Sequence, residues 1–198
     1  KENNITHCLH LGDIMDRRKF VSYRTAKNFR ERFIKPFSDL GIQLHILVGN
    51  HDTYFKNTNE VNSITELIGT RYNNVHIYPE AKEIELDGLP VMLVPWINAS
   101  NHAKTMSAMD KSKADILMGH LEVQGFEMNK GVRCENGYAK DLFRKFDTVF
   151  SGHFHIKSDD GHIYYLGNPY EIYWNDCGDK RGFHIFDTET RQLDRIVN

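Results

Sequence analysis

Cysteine is scarce. Cys8, Cys134 and Cys177 are the three in 198 residues, widely separated and forming no CxxC pair. That excludes a thiol-based metal ribbon or a redox pair, and isolated thiols in a reducing cytoplasm are expected. No apolar run approaches the ~18 residues of a membrane span, and the opening residues carry no signal-peptide pattern. The expected setting is cytoplasmic, with no membrane partner. Charge of either sign is not in excess: the net charge is −2 and the pI about 6.6. Any nucleic-acid contact must therefore be local or shared with a partner. No repeat or low-complexity segment interrupts the chain. The rest is ordinary, 40% hydrophobic and 26% charged, and long enough for one domain with a full core.

The pattern along the chain is βα at first and mostly β later. Ile5–Leu11 is a β-type run. Arg24–Leu40 has helical spacing through Ala26, Phe29, Phe33, Phe37 and Leu40, with Gly41 as a C-terminal cap and Pro36 predicting a kink or early end. Strands are expected at Gln43–Val48 and Val75–Tyr78, with a short helix at Ile64–Ile68 between them. Lys82–Leu86 and Pro90–Val94 flank Asp87-Gly88, a hairpin signal with a loop slightly longer than two residues. A helix over His102–Met109 precedes strands at Asp115–Met118, Thr148–Ser151, Ile163–Leu166, Gly182–Asp187 and Leu193–Val197. Helices early and hairpins later predict an α/β sandwich of two sheets flanked by helices.

Four motifs sit at the ends of such runs: Gly12-Asp13-Ile14-Met15-Asp16-Arg17, Gly49-Asn50-His51-Asp52, Gly119-His120 and Gly152-His153-Phe154-His155. Each places metal-capable side chains at a strand's C-terminal tip, where open α/β sheets bind ligands. Asp, Asn and His are N/O donors suited to Mn, Fe or Zn. Any one motif has a plain alternative; Asp13, for example, could simply cap a turn. In an extended segment the rings of His153 and His155 would face one way. Asp52 reads as a turn-stabilising residue. His10, His45, His76, His102, His162 and His184 read as core or surface groups, and Arg18 and Lys19 could be a solvated basic turn.

In this order the motifs resemble those of the calcineurin-like metallophosphoesterases. The resemblance implies a four-layer αββα sandwich of two mixed sheets and a centre of two divalent ions, Mn²⁺ foremost with Fe or Zn as alternatives. It implies Asp13 as a bridging ligand and Asn50, His120 and His153 as the other ligands of one metal, with His155 on its neighbour. His51 would protonate the leaving oxygen, Asp16 would orient that imidazole through its carboxylate, and Arg17 would bind phosphate.

The stretches Leu47–Asp52, Leu93–Trp96, Gly119–Phe126, Ser151–His155 and Arg181–Thr190 look like the SbcD-type DNA nucleases, and in particular the nuclease subunit of tailed-phage recombination endonucleases. That resemblance implies hydrolysis of DNA phosphodiesters, with Arg17, Arg18 and Lys19 on the DNA backbone. The implied partners are DNA, an SbcC-type ATPase subunit and, in the full-length protein, a second copy. The host cytoplasm would be the location for a phage protein. A small-molecule or protein phosphomonoesterase is the alternative, and an inactive scaffold a third.

One departure stands out. The family opens with a strand ending in Asp-x-His that binds the first metal, and nothing before Asp13 fits it. Residues 1–198 are thus expected to be a nuclease core lacking its first strand and helix and a C-terminal capping domain. Such a core would carry one well-formed metal site.

Overall fold

Apolar runs become strands and amphipathic segments become the helices that cover them. A computed structural model describes residues 4–198. Strand β1 (His7–His10) leads to helix α1 (Tyr23–Phe29), a π-helical turn over Arg30–Ile34 and helix α2 (Lys35–Leu40). Strand β2 (Gln43–Leu47), helix α3 (Ser63–Ile68) and strand β3 (Val75–Tyr78) follow. β1, β2 and β3 pair in that order and all run parallel.

A hairpin of β4 (Lys82–Leu86) and β5 (Leu89–Val94) begins the second sheet. Helix α4 (His102–Lys111) and strand β6 (Ile116–Gly119) come next, then the small hairpin β7 (Glu127–Asn129) and β8 (Val132–Arg133). Strands β9 (Thr148–Ser151), β10 (Ser158–Asp159) and β11 (Ile163–Tyr165) complete a six-stranded sheet in the order β10-β11-β9-β6-β5-β4. It is parallel through its centre and antiparallel at both edges. A last hairpin joins β12 (Gly182–Phe186) to β13 (Leu193–Val197).

Alternation along the strands sorts the side chains into layers. Leu47 and Tyr78 of the first sheet meet Leu93, Met118 and Phe150 of the second, with Phe186 and Leu193 of the last hairpin on the same core. Leu44 and Ile46 point the other way, under Ile34, Ile64 and Ile68. Met109, Phe143 and Phe146 cover the far face of the second sheet at Leu117 and Val149. The result is the expected four-layer α/β sandwich. Mixing is confined to the six-stranded sheet.

Three local differences have physical reasons. The helix over Arg24–Leu40 is not kinked at Pro36 but widened just before it. Pro36 has no N–H to donate and would clash with the preceding turn; a π turn accommodates this, and the Lys35 N–H reaches back to the Arg30 carbonyl. Gly41 caps the end in the left-handed region, φ 71°. The hairpin loop is shorter than the sequence suggested, because Leu89 pairs with Leu86. Asp87 and Gly88 then both take positive φ, 50° and 84°, as a tight two-residue turn requires. Strands β7, β8 and β10, of two or three residues, are too short to show a period. No helix among the described residues is long and apolar enough to cross a membrane.

Candidate metal centre

The C-terminal ends of β1, β2, β6 and β9 meet, and the loops leaving them bring the four motifs together. Close approach is possible because two positions carry no side chain. A Cβ on Gly12, at φ 94°, would sit 2.5 Å from His120 Nδ1, and one on Gly49 would strike Asp13. Asp13 and His153 themselves hold left-handed backbone, φ 58° and 80°, which is unfavourable for non-glycine residues and must be held by their surroundings. Asp52 holds the first. Fully buried, it accepts the backbone N–H groups of Asp13 (2.8 Å), Met15 (3.0 Å) and Gly49 (2.8 Å). Burial, and then the charge of Asp13, push its carboxyl up to about 6.

The donor atoms converge. His120 Nε2 lies 2.9 Å from Asn50 Oδ1, 3.3 Å from Asp13 Oδ2 and 3.2 Å from His153 Nδ1. The ligand atoms of Asp13, His120 and His153 are all within 4.8 Å of one another. His120 Nδ1 sits 2.6 Å from the Leu11 carbonyl, which can only accept, so Nδ1 carries the proton. In the neutral ring Nε2 is then the atom with the free lone pair, and it faces a carboxylate oxygen and an amide oxygen. One proton there could satisfy a single neighbour; a divalent cation satisfies them all. Burial alone would lower the His120 pKa, but the Asp13 charge and hydrogen bond raise it above the ordinary value. Asp13 is lowered despite its burial, by His120 and by the His51 N–H at 2.8 Å. Burial, then His120, hold His153 down to about 3. The donor set thus fits a divalent ion. Trp96 closes one side, its ring 5.3 Å from that of His153 and 6.1 Å from that of His120.

His155 stands outside this tight group. The positive φ of His153 breaks the extended geometry that would have aimed both rings one way. The Nδ1 of His155 instead faces Asp176 Oδ2 at 3.7 Å, and its ring lies flat on Tyr173, centroids 5.4 Å apart at 2°. Asp176, almost fully buried, is the anchor of this side. It accepts the N–H groups of Ile172 and Tyr173 and the Asn168 amide, and pairs with Arg181 at 3.0 Å. Arg181 also donates to the His155 carbonyl.

His51 does meet Asp16, but not through the carboxylate. His51 Nδ1 is 2.8 Å from the Asp16 backbone carbonyl, while Asp16 Oδ1 accepts from the Tyr173 hydroxyl at 3.0 Å. The side chain is exposed on its turn and finds the nearer hydroxyl. Arg17 and Lys19 are exposed and Arg18 is partly covered. Sequence reasoning missed Trp96, Tyr173 and Asp176. Trp96 ends the nuclease-like stretch Leu93–Trp96, the one signal that could have found it; Tyr173 and Asp176 follow no strand and carry no periodic signal. Of the histidines read as core or surface groups, His45 bridges His7 (3.0 Å) and Tyr78 (2.8 Å), and His162 meets the Phe146 carbonyl.

The chain is 36% identical over 198 residues to exonuclease subunit 1 of Enterobacteria phage T4, covering all of this chain and 58% of that protein. It is 25% identical over 187 residues to the SbcD subunit of the SbcCD nuclease of Staphylococcus epidermidis, covering 78% of this chain and 48% of the relative. It thus spans about half the length of these curated relatives. A solved archaeal phosphodiesterase aligns over the whole chain and 86% of its own, at 16% identity and a TM-score of 0.48. Residues 1–157 match the calcineurin-like phosphoesterase family, and since that stretch holds every strand-tip donor of the converging site, the chain belongs to that family.

Proposed function

We propose that this chain is the nuclease core of a metal-dependent DNA phosphodiesterase working with an SbcC-type ATPase subunit. The observation that carries the reading is the convergence of Asp13, Asn50, His120 and His153 on one point beside His51. The DNA substrate and the ATPase partner lean on the nuclease relatives.

In this reading Asp13, Asn50, His120 and His153 hold one divalent ion, and Asp13 with His155 contributes to a second; Mn²⁺ is favoured over Fe or Zn. Bound there, divalent metal would draw charge from the phosphate oxygens and supply an activated water as nucleophile. His51 supplies the proton for the leaving oxygen. Its Nδ1–H is held by the Asp16 carbonyl, which leaves Nε2 to carry that proton. Asp16 therefore acts through its backbone, and its carboxylate positions Tyr173. Arg17 offers its planar fork to the phosphate, and Arg18 and Lys19 lie along the strand backbone.

The test is hydrolysis of methyl p-nitrophenyl phosphate against p-nitrophenyl phosphate by the full-length protein, with Mn²⁺ titrated. The diester should be the better substrate. Preference for the monoester would overturn the DNA reading in favour of a phosphomonoesterase, and turnover of neither would leave a scaffold.

A further inference from the structure

Three loops rim the metal centre: residues 16–23 after β1, 51–56 after β2 and 168–176 after β11. Among the described residues, seven of the eight exposed aromatic rings lie on them, the eighth being Phe183. Phe20 is on the first segment, with Tyr23 opening helix α1 at its end, and Tyr54 and Phe55 are on the second. The third carries Tyr170, Tyr173 and Trp174, and Trp174 is 94% exposed. Single exposed rings are common on a protein surface, but such clustering at one edge is not.

The loops are tied together at Asp16, whose carbonyl faces His51 and whose carboxylate takes the Tyr173 hydroxyl. Cations are interleaved with the rings. The Arg17 guanidinium lies 5.3 Å from the centre of Phe20, and Lys19 Nζ 5.6 Å from that of Tyr54. Rings and cations side by side match a single nucleic-acid strand, which offers a base face and a phosphate at every nucleotide. A duplex hides its base faces within the stack and cannot use such rings.

We propose that this rim grips unpaired nucleobases next to the scissile phosphate, stacking them on Trp174 and Phe20 while Arg17 holds that phosphate and Lys19 a neighbouring one. The proposal rests on the DNA phosphodiesterase reading above and adds the element that recognises the strand. It needs no ring to leave the core, since Trp174 and Phe20 are already exposed.

The experiment compares Trp174→Ala, Trp174→Phe and Phe20→Ala in the full-length protein. Substrates are a single-stranded oligonucleotide, the same strand with abasic sites around the cleaved position, and methyl p-nitrophenyl phosphate. Each alanine variant should raise KM on the base-bearing strand by about 5- to 100-fold, and Trp174→Phe should recover most of the loss. Wild-type protein should take the abasic strand at least as poorly as either alanine variant takes the normal one, and on the abasic strand the variants should match wild type. Equal losses on both strands, or none, would overturn the proposal. So would variants that process DNA normally yet fail to join the ATPase subunit, since the rim would then be a protein interface. Wild-type protein inactive on the small diester would instead sink the phosphodiesterase reading itself.

Discussion

Replacing Asp52 by Asn removes one charge and almost no volume, yet it should cost nearly as much as Asp52→Ala. Oδ2 accepts the N–H groups of Asp13 and Gly49, and Oδ1 that of Met15. An amide offers one oxygen, so in either orientation its NH₂ must face at least one of these buried donors. Hydrogen bonds to a charged group contribute about 1.5–3 kcal/mol each, and an orphaned buried donor costs about 1–3 kcal/mol. Burial of the carboxylate beside Asp13 already offsets part of that gain. The net loss should be about 3–5 kcal/mol, or a fall in Tm of roughly 8–15 °C for a domain of this size. Because one of the three donors belongs to Asp13 itself, divalent binding should weaken as well. Loss of a supporting group of this kind typically costs about 10–100-fold in metal affinity. Thermal unfolding together with calorimetric Mn²⁺ titration reads both effects. An Asp52→Asn protein that melts within about 2 °C of wild type and binds Mn²⁺ unchanged would refute the reasoning.

His51→Ala should leave Mn²⁺ affinity nearly intact and slow turnover by roughly 10²–10⁴-fold, with rescue by esters of very acidic leaving groups; loss of the metal would show His51 to be a ligand. Neutralising Arg18 and Lys19 together should weaken DNA processing uniformly across sequences and flatten its salt dependence by about one to two charges. An unchanged salt slope would remove that loop from the DNA path. His45 is held down to about 4, first by burial and then by the charges of His76 and His7. Its folded pKa therefore lies below the unfolded value of about 6.5, and the unfolded chain takes up the proton first as pH falls. Stability should decline between about pH 6.5 and 4, by up to about 3 kcal/mol from this group. His45→Gln should flatten that part of the profile in denaturant melts, and an unaltered slope would place the acid sensitivity elsewhere.

What was legible in the sequence was everything carried by local pattern. Buried runs such as Gln43–Val48 and the Asp87-Gly88 turn announce strands and a hairpin, because side-chain period and positive φ are properties of a few adjacent residues. Gly-Asp, Gly-Asn-His and the two Gly-His motifs could be placed at strand tips for the same reason. Tertiary structure alone decided how the donors meet. That His120 Nδ1 carries a proton and Nε2 faces the other donors follows from a carbonyl 109 residues away. Asp16 faces His51 with its backbone because Tyr173, 157 residues along the chain, takes its carboxylate. Asp52 and Asp176 look like ordinary loop acids until burial and converging N–H groups turn them into anchors. Sequence pattern reports the angular preferences of neighbours along the chain. Metal-centre geometry is set by distances between segments whose separation in the chain carries no such pattern.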